Sequence, residues 1–205
     1  MHVAPVTLEG TLVRLEPLRL EHAEGLLAAA QDPAIWRYLT MPMPATLAAI
    51  HNYLEKMLAA QAAGRELAFT IFERASQRPI GSTRYLNIQP AISGLEIGGT
   101  WLTPAMQRTG VNTECKYLLL RHAFEPLGAI RVQFKTDRRN VISQRAIERL
   151  GAVKEGVLRK VMILYDGYQR DTVFYSILDD EWPAVKARLE ARMAAGAILR
   201  PSEEP

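Results

Sequence analysis

A single cysteine, Cys115, excludes an internal disulfide and fits a reducing compartment. It falls inside an apolar helical run, where a small buried thiol is expected rather than a nucleophile. Charge of one sign is also missing. The 25 Lys and Arg against 22 Asp and Glu leave +3, too mild to argue for nucleic acid. No basic run carries interleaved aromatics. No apolar run approaches the length that spans a bilayer, so no membrane partner is expected. Met1-His2-Val3-Ala4-Pro5 lacks the charged start and apolar core of a signal peptide, and a cytoplasmic location follows as the expectation. His2, His22, His51 and His122 have no ligand-type spacing, so no metal is expected. What the chain does have is apolar content: 48% excludes disorder throughout. Its 205 residues fit one domain with a sizeable core, expected over 1–195, with a loose tail over 196–205.

Periodicity orders the elements. Leu12–Glu16 alternates as a first strand, and Glu21–Gln31 reads as a helix ended by Asp32-Pro33. Met41-Pro42-Met43-Pro44 is a rigid connector. Thr46 caps a helix that runs to about Ala63, with Gly64 as its stop. Leu67–Phe72 and Ile80–Leu86 form a hairpin. Leu95–Leu102 is a further strand, and its paired Gly98 and Gly99 predict a bulge or a ligand pressed against the backbone. Thr113–Phe124 is apolar on most of its circumference, as a helix buried against a sheet must be. Ile130–Thr136 is a strand. Asn140 caps a helix over Val141–Leu150 that Gly151 stops. Val153–Leu164 and Tyr168–Leu178 are joined by Tyr165-Asp166-Gly167, a hairpin signal. Trp182–Met193 is a last helix, begun by Pro183. The order predicts a mixed α+β fold with one helical crossover in the centre of the sheet.

The stretch Trp101 to Glu114 carries the clearest chemistry. A strand stops at Pro104, a short basic turn follows, and an apolar helix begins near Thr113. The first amides of a helix have no intrahelical partner, and the macrodipole places partial positive charge there. Gly110 lets a phosphate approach the backbone without a side chain in the way. The turn lacks the Gly-Lys-Ser/Thr of a nucleotide P-loop. A phosphorylated ligand is expected at Gln107, Arg108, Thr109, Gly110, Val111, Asn112 and Thr113.

Four pieces of the chain, in order, resemble the GNAT N-acetyltransferases, in the branch that includes ribosomal-protein N-terminal acetyltransferases. Gln107-Arg108-Thr109-Gly110-Val111-Asn112 is similar to the family's acetyl-CoA loop, Gln/Arg-x-x-Gly-x-Gly/Ala. Asn112 departs from it; Asn tolerates left-handed backbone and can cap a helix. Asn140-Val141-Ile142-Ser143, followed by Leu150-Gly151-Ala152, resembles the Asn-x-x-Ser element and the helix that follows it. Asp166-Gly167-Tyr168-Gln169-Arg170-Asp171 resembles an Asp-Gly-x-x-Arg-Asp hairpin. Leu95 to Leu102 resembles a Glu-x-Gly-x-Trp-Leu strand. The resemblance covers about Thr7 to Met193. It implies the GNAT fold, a single mixed and mostly antiparallel sheet of about seven strands with four to five flanking helices.

The same resemblance implies acetyl transfer from acetyl-CoA to an amine. Glu96 is then the candidate to accept the amine's proton, or to bind the ammonium; its structural alternative is pairing with Arg84 across the strands. Ser143 is the candidate donor to the leaving thiolate, or an exposed first-turn serine. Asn140 is a candidate contact for the pantetheine arm and a helix cap, and the two roles are compatible. Trp36, Tyr38, Met41 and Met43 lie in the connector that forms one acceptor wall in the family; Tyr85 and Tyr165 could line the pocket. Core packing accounts for these residues equally well. The leading acceptor is the α-amine of a protein or peptide. A small-molecule amine (polyamine, aminoglycoside or amino acid) and an acyl-CoA-binding module without turnover remain open, as does a homodimer.

Overall fold

The computed structural model describes residues 1–195; the tail expected to be loose lies outside the described residues. Strands β1 (Leu8–Glu9) and β2 (Val13–Pro17) open the chain. Three helices follow, α1 (Ala23–Ala29), α2 (Pro33–Trp36) and α3 (Leu47–Ala62). Then come β3 (Leu67–Glu73), β4 (Pro79–Gln89) and β5 (Gly94–Leu102). Helix α4 (Val111–Phe124) leads to β6 (Arg131–Asp137), and α5 (Val141–Leu150) to the hairpin β7 (Val153–Ile163) and β8 (Gln169–Leu178). Helix α6 (Trp182–Ala194) ends the description. The eight strands form one sheet in the order β1-β2-β3-β4-β5-β6-β8-β7. The strand beyond the expected seven is β1, whose two residues are too few to show a period. The four-residue α2 is hidden in the same way, within a stretch that reads as connector.

Every neighbouring pair is antiparallel except β5 and β6, which α4 connects as the crossover. Their ladder has three rungs: Gly94 with Arg131, Leu95 with Val132, and Glu96 with Gln133. Both strands run on, but they no longer pair with each other. Ile97–Leu102 therefore presents one backbone edge without a strand partner.

The side chains on the two faces of the sheet build two cores. Helix α4 lies on one face, with Cys115, Leu118, Leu119 and Leu120 packed against Phe69, Tyr85, Ile97 and Phe134. On the other face Trp36, Ile50, Leu54 and Met57 pack against Ala68 and Trp101. The predicted bulge is present at Gly99, where φ is +57°. Arg84 faces Gly98 and Ser82 faces Trp101, so β5 spends one residue more than β4. That extra residue reverses the alternation. Leu95, Ile97 and Leu102 share the α4 core, while Glu96, Gly98 and Trp101 share the opposite face. A Cβ on Gly99 would sit 2.5 Å from Arg84 Nε, so glycine meets both the backbone and the space requirement there.

The first turn of α4 is tied to the start of the sheet. Buried Glu114 accepts the backbone N–H groups of Thr11 at 2.8 Å, Leu12 at 2.7 Å and Val13 at 2.9 Å. Gly10 is the space this requires, since a Cβ there would lie 2.5 Å from the Glu114 carboxyl carbon.

Candidate active site

The turn between β5 and α4 is built by its own side chains. Gln107 Nε2 donates to Leu102 O at 3.0 Å. Thr109 Oγ1 donates to Met106 O at 2.8 Å and accepts from Val111 N at 3.2 Å, so this hydroxyl takes up the first amide of the helix, while Gly110 stands at the cap position. The helix starts at Val111, two residues earlier than its apolar run predicts. Gly110 is already helical at φ −65°. The left-handed residue is Arg108, at φ +60°. Gly110 is thus not needed for backbone freedom; what remains is its lack of a side chain. Val111 turns its side chain into the core and its amide is taken by Thr109. The amides of Asn112 and Thr113 are the ones left for an anion. Arg108 is exposed beside them.

Glu96 lies at the last rung of the β5–β6 ladder, on the face opposite α4. It is 1% exposed. Its Oε2 accepts from Asn87 Nδ2 at 2.7 Å and Gln133 Nε2 at 3.3 Å, and lies 3.0 Å from Lys135 Nζ. The expected alternative, pairing with Arg84, does not occur: Arg84 Nη1 bonds Glu66 at 2.9 Å. The other oxygen, Oε1, is buried and without a partner. It lies over Gly98, where a Cβ would come within 3.1 Å of it. One oxygen anchored by three groups and one left open is an arrangement suited to receiving a proton or an ammonium.

Asn140 caps α5: its Oδ1 accepts from Ser143 N at 3.1 Å. The cap leaves its Nδ2 donors available. Ser143 is half-buried in the first turn of the same helix. Of the acceptor-wall candidates, two belong to the core instead. Tyr85 is fully buried on the α4 face and donates to Leu119 O at 2.7 Å. Trp36 is 1% exposed, donates to Ala30 O at 2.8 Å and packs on Trp101. Both place their rings where apolar surface is removed from water, whereas Tyr38, Met41, Met43 and Tyr165 retain access. Tyr165 is 53% exposed in the β7–β8 turn. Tyr38 lies by Arg139, whose guanidinium stacks 3.4 Å from the centre of the Tyr168 ring and 5.7 Å from that of Tyr38. Arg139 also pairs with Asp137 at 2.9 Å. The connector and the β7–β8 hairpin thus meet through one cation over the Glu96 face.

Other polar groups, half-buried Lys135 and buried Asp137 and Lys116, were not singled out by the sequence. Lys135 and Asp137 alternate with Phe134 and Thr136 along β6, a pattern visible in the chain; which strand they face is not. Lys116 is hidden in the apolar run of α4. It is buried, bonds the hydroxyls of Thr100 and Thr83, and has no carboxylate partner among the described residues. Burial pushes its ammonium down from 10.5 to about 8. The thiol of neighbouring Cys115 is pushed up to about 12 by burial, which makes it inert at neutral pH.

Lys116 gives a pH-dependent stability. Between about 8 and 10.5 the unfolded chain holds a proton that the folded chain has released, so stability rises with pH across that window. Below about 8 both states are protonated and the native state carries the cost of a buried charge. Lys116→Met removes this rise, on the order of 2 kcal/mol after discounting the full shift. Urea unfolding of both proteins at pH 7.5 and pH 10 measures it. Parallel pH dependences would show that Lys116 does not titrate in that window.

A cleft of about 150 Å³ lies between the β1–β2 turn, α4 and α6, lined by Thr11, Leu12, Gly110, Thr113, Glu114 and Arg192 among others. It borders the turn between β5 and α4, but Glu96 and Ser143 do not line it. Among the described residues no group of three or more His, Cys, Asp or Glu could hold a metal ion, and no helix is long and apolar enough to cross a membrane.

Comparison with known proteins adds an independent line. Residues 13–153 match the family model described as the acetyltransferase (GNAT) domain. Two curated relatives come from Bacillus subtilis (strain 168). YjcK, provisionally named an N-acetyltransferase, is 31% identical over 118 residues, which is 57% of this chain. YdaF, provisionally named a ribosomal N-acetyltransferase, is 32% identical over 88 residues, or 43% of this chain. The matched stretches span 65% and 48% of those relatives' own lengths. A crystal structure of a provisionally assigned acetyltransferase from T. thermophilus is 45% identical. It covers 94% of this chain and 100% of its own, with a TM-score of 0.85.

Proposed function

The chain belongs to the GNAT acetyltransferase family, and from that premise we propose that it transfers the acetyl group of acetyl-CoA to a primary amine, with the α-amine of a protein or peptide as the leading acceptor. The observation that carries the reading is the open Oε1 of Glu96, buried at the point where β5 and β6 stop pairing. The likeness to YdaF supports the protein acceptor. We take residues 1–195 as one catalytic domain.

Bound acetyl-CoA supplies a thioester carbonyl for the amine to attack and a thiolate that leaves. The residues present fit such a molecule. The unpaired edge of Ile97–Leu102 offers backbone donors and acceptors to an extended arm that carries amides. The amides of Asn112 and Thr113, at the positive end of α4, suit phosphate, and exposed Arg108 adds a cation. Asn140 keeps Nδ2 free for a carbonyl of the arm while Oδ1 holds the helix. A primary amine is mostly protonated at neutral pH, so the ammonium must lose a proton before its nitrogen can attack. Glu96 Oε1 receives that proton. The nitrogen bonds to the carbonyl carbon, the carbon–sulfur bond breaks, and the second proton that the nitrogen sheds passes through the Ser143 hydroxyl to the departing sulfur, which leaves as the thiol, while Glu96 returns its proton to solvent.

Acetyl-CoA raises Tm in this reading, because a ligand that binds only the native state stabilises it, by about 2.7 kcal/mol at a hundredfold excess over Kd. Thiol release with a panel of peptide N-termini, polyamines and amino acids then separates turnover from binding. A Tm shift with no thiol released from any amine would reduce the protein to an acyl-CoA-binding module.

A further inference from the structure

The face of the sheet that carries Glu96 holds more unpartnered polar atoms. Glu96 pairs in register with Gln133, and Asp137 with Thr172. Lys135, Asp137, Thr172 and Arg170 therefore project on the Glu96 side, by the period of two. Arg84 joins them opposite Gly98. On this face Glu96 Oε1, Arg84 Nε, Arg170 Nε and Thr172 Oγ1 are all buried without a hydrogen-bond partner among the described residues.

Arg170, from the Asp-Gly-x-x-Arg-Asp hairpin, is the anomaly. It is 6% exposed. The carboxylates near it already have cations: Asp137 is held by Arg139 at 2.9 Å and Glu96 by Lys135 at 3.0 Å. Arg84 is matched by Glu66 at 2.9 Å. The face thus carries one positive charge in excess, and that charge is Arg170. Burial pushes its pKa down, while the fields of Asp137 and Glu96 reach it and pull the other way. A buried guanidinium without its own counterion is costly unless something neutralises it. The open atoms are three donors or hydroxyls and one carboxylate oxygen, which is the complement of a molecule that carries an ammonium and a carboxylate.

We propose that the amine acceptor of this protein carries a carboxylate close to its amine, and that Arg170, with the Thr172 hydroxyl, binds this carboxylate while Glu96 binds the amine. The proposal rests on the acetyl-transfer reading for its chemistry. A carboxylate fits better than a neutral carbonyl, because a desolvated guanidinium gains most from an ionised, bidentate partner. It fits better than a dianionic phosphate, because the excess is a single charge. Two strand spacings, about 10 Å, separate β5 from β8 across the sheet, and along it Arg170 lies six residues, about 20 Å, beyond Ser176, the residue level with Glu96 through Gln133. The two long side chains close most of that span, since the field of Glu96 is felt at Arg170, and what they leave open corresponds to a few bonds between amine and carboxylate. A free amino acid meets that requirement, and so does the N-terminal residue of a peptide that begins with Asp.

Thiol-release rates at saturating acetyl-CoA test it in two arms, each compared per concentration of free amine. One arm sets glycine against glycinamide. The other sets Asp-Ala-Ala-Ala-amide against Asn-Ala-Ala-Ala-amide. In the arm that matches the true source, kcat/KM favours the carboxylate by at least about tenfold, and Arg170→Met brings the ratio toward one. Arg170→Met also raises the Tm of the free protein by about 2–4 °C, since it removes an uncompensated buried charge. A fall in Tm would mean that Arg170 is satisfied internally, and would overturn the assignment. Calorimetry of the same ligands on CoA-saturated protein reads binding apart from turnover. Turnover without a carboxylate preference in either arm sinks this inference and leaves acetyl transfer standing. Tighter binding of the carboxylate without turnover supports the inference and sinks acetyl transfer. Neither binding nor turnover sinks both.

Discussion

Glu96→Gln lowers kcat by about tenfold to a thousandfold, the lower part of the range for a lost general base and somewhat beneath it. The substitution keeps the shape and volume of a side chain that is 1% exposed, so the fold is retained. The anchors on Oε2, Asn87 and Gln133, can still donate to an amide oxygen. Lys135 loses its counterion but is 26% exposed and can be solvated. What disappears is the proton-accepting capacity of Oε1. The defect should shrink as pH rises, because more of the amine is then free and needs no base. Steady-state kinetics from pH 7 to pH 10 decide the matter. An equal loss at every pH, or no loss, would remove the base role and leave Glu96 as a group that orients the acceptor.

Glu114→Ala costs about 3–5 kcal/mol of stability. Hydrogen bonds to a charged group contribute about 1.5–3 kcal/mol each, and Glu114 accepts three from Thr11, Leu12 and Val13. They share one carboxylate, and two of the three donors belong to part-buried bonds that water can replace. The total therefore falls short of threefold. A negative charge in the first turn of α4 also faces the positive end of the helix. For a chain of this size the loss corresponds to a fall in Tm of roughly 10 °C. Acetyl-CoA affinity falls with it in the proposed mechanism, because the same turn presents the amides of Asn112 and Thr113. Thermal melts with and without acetyl-CoA read both effects. A change in Tm of under 2 °C would show that the β1–β2 turn is held by other contacts.

Local chemistry made much of the molecule legible before its coordinates. The cap at Asn140, the stop at Gly151 and the cap at Thr46 need only neighbouring residues, and they stand where the chain predicts them. The bulge at Gly98-Gly99 is equally local, as two adjacent glycines leave few other reasons to sit inside a strand. The apolar circumference of α4 announces a helix packed on a sheet. The Gln107–Asn112 turn is readable in outline, although Arg108 and not Gly110 carries the left-handed backbone. That detail depends on how Thr109 closes the turn onto Met106 and Val111.

The sequence by itself determined the elements apart from β1 and α2, the mixed α+β order, the position of the turn between β5 and α4 and the candidacy of Glu96. Each of these is set by contacts within a few residues or by a motif that lies in one stretch. Only the tertiary structure decided the partners. The structural alternative for Glu96, a cross-strand pair with Arg84, does not form, because the parallel placement of β6 gives Glu96 Lys135 while Arg84 pairs with Glu66. Tyr85 and Trp36 read as possible pocket walls, and the alternation of the sheet and the docking of α2 bury both. Glu114 and the β1–β2 turn are joined across as many as 103 residues of chain. Nothing in the chain marks the charges of Lys116 and Arg170 as buried until the fold encloses them. Burial and long-range pairing depend on which strands lie side by side, and chain neighbours carry no record of that. This is why the charges that distinguish the proposed acceptor site appear only once the sheet is assembled.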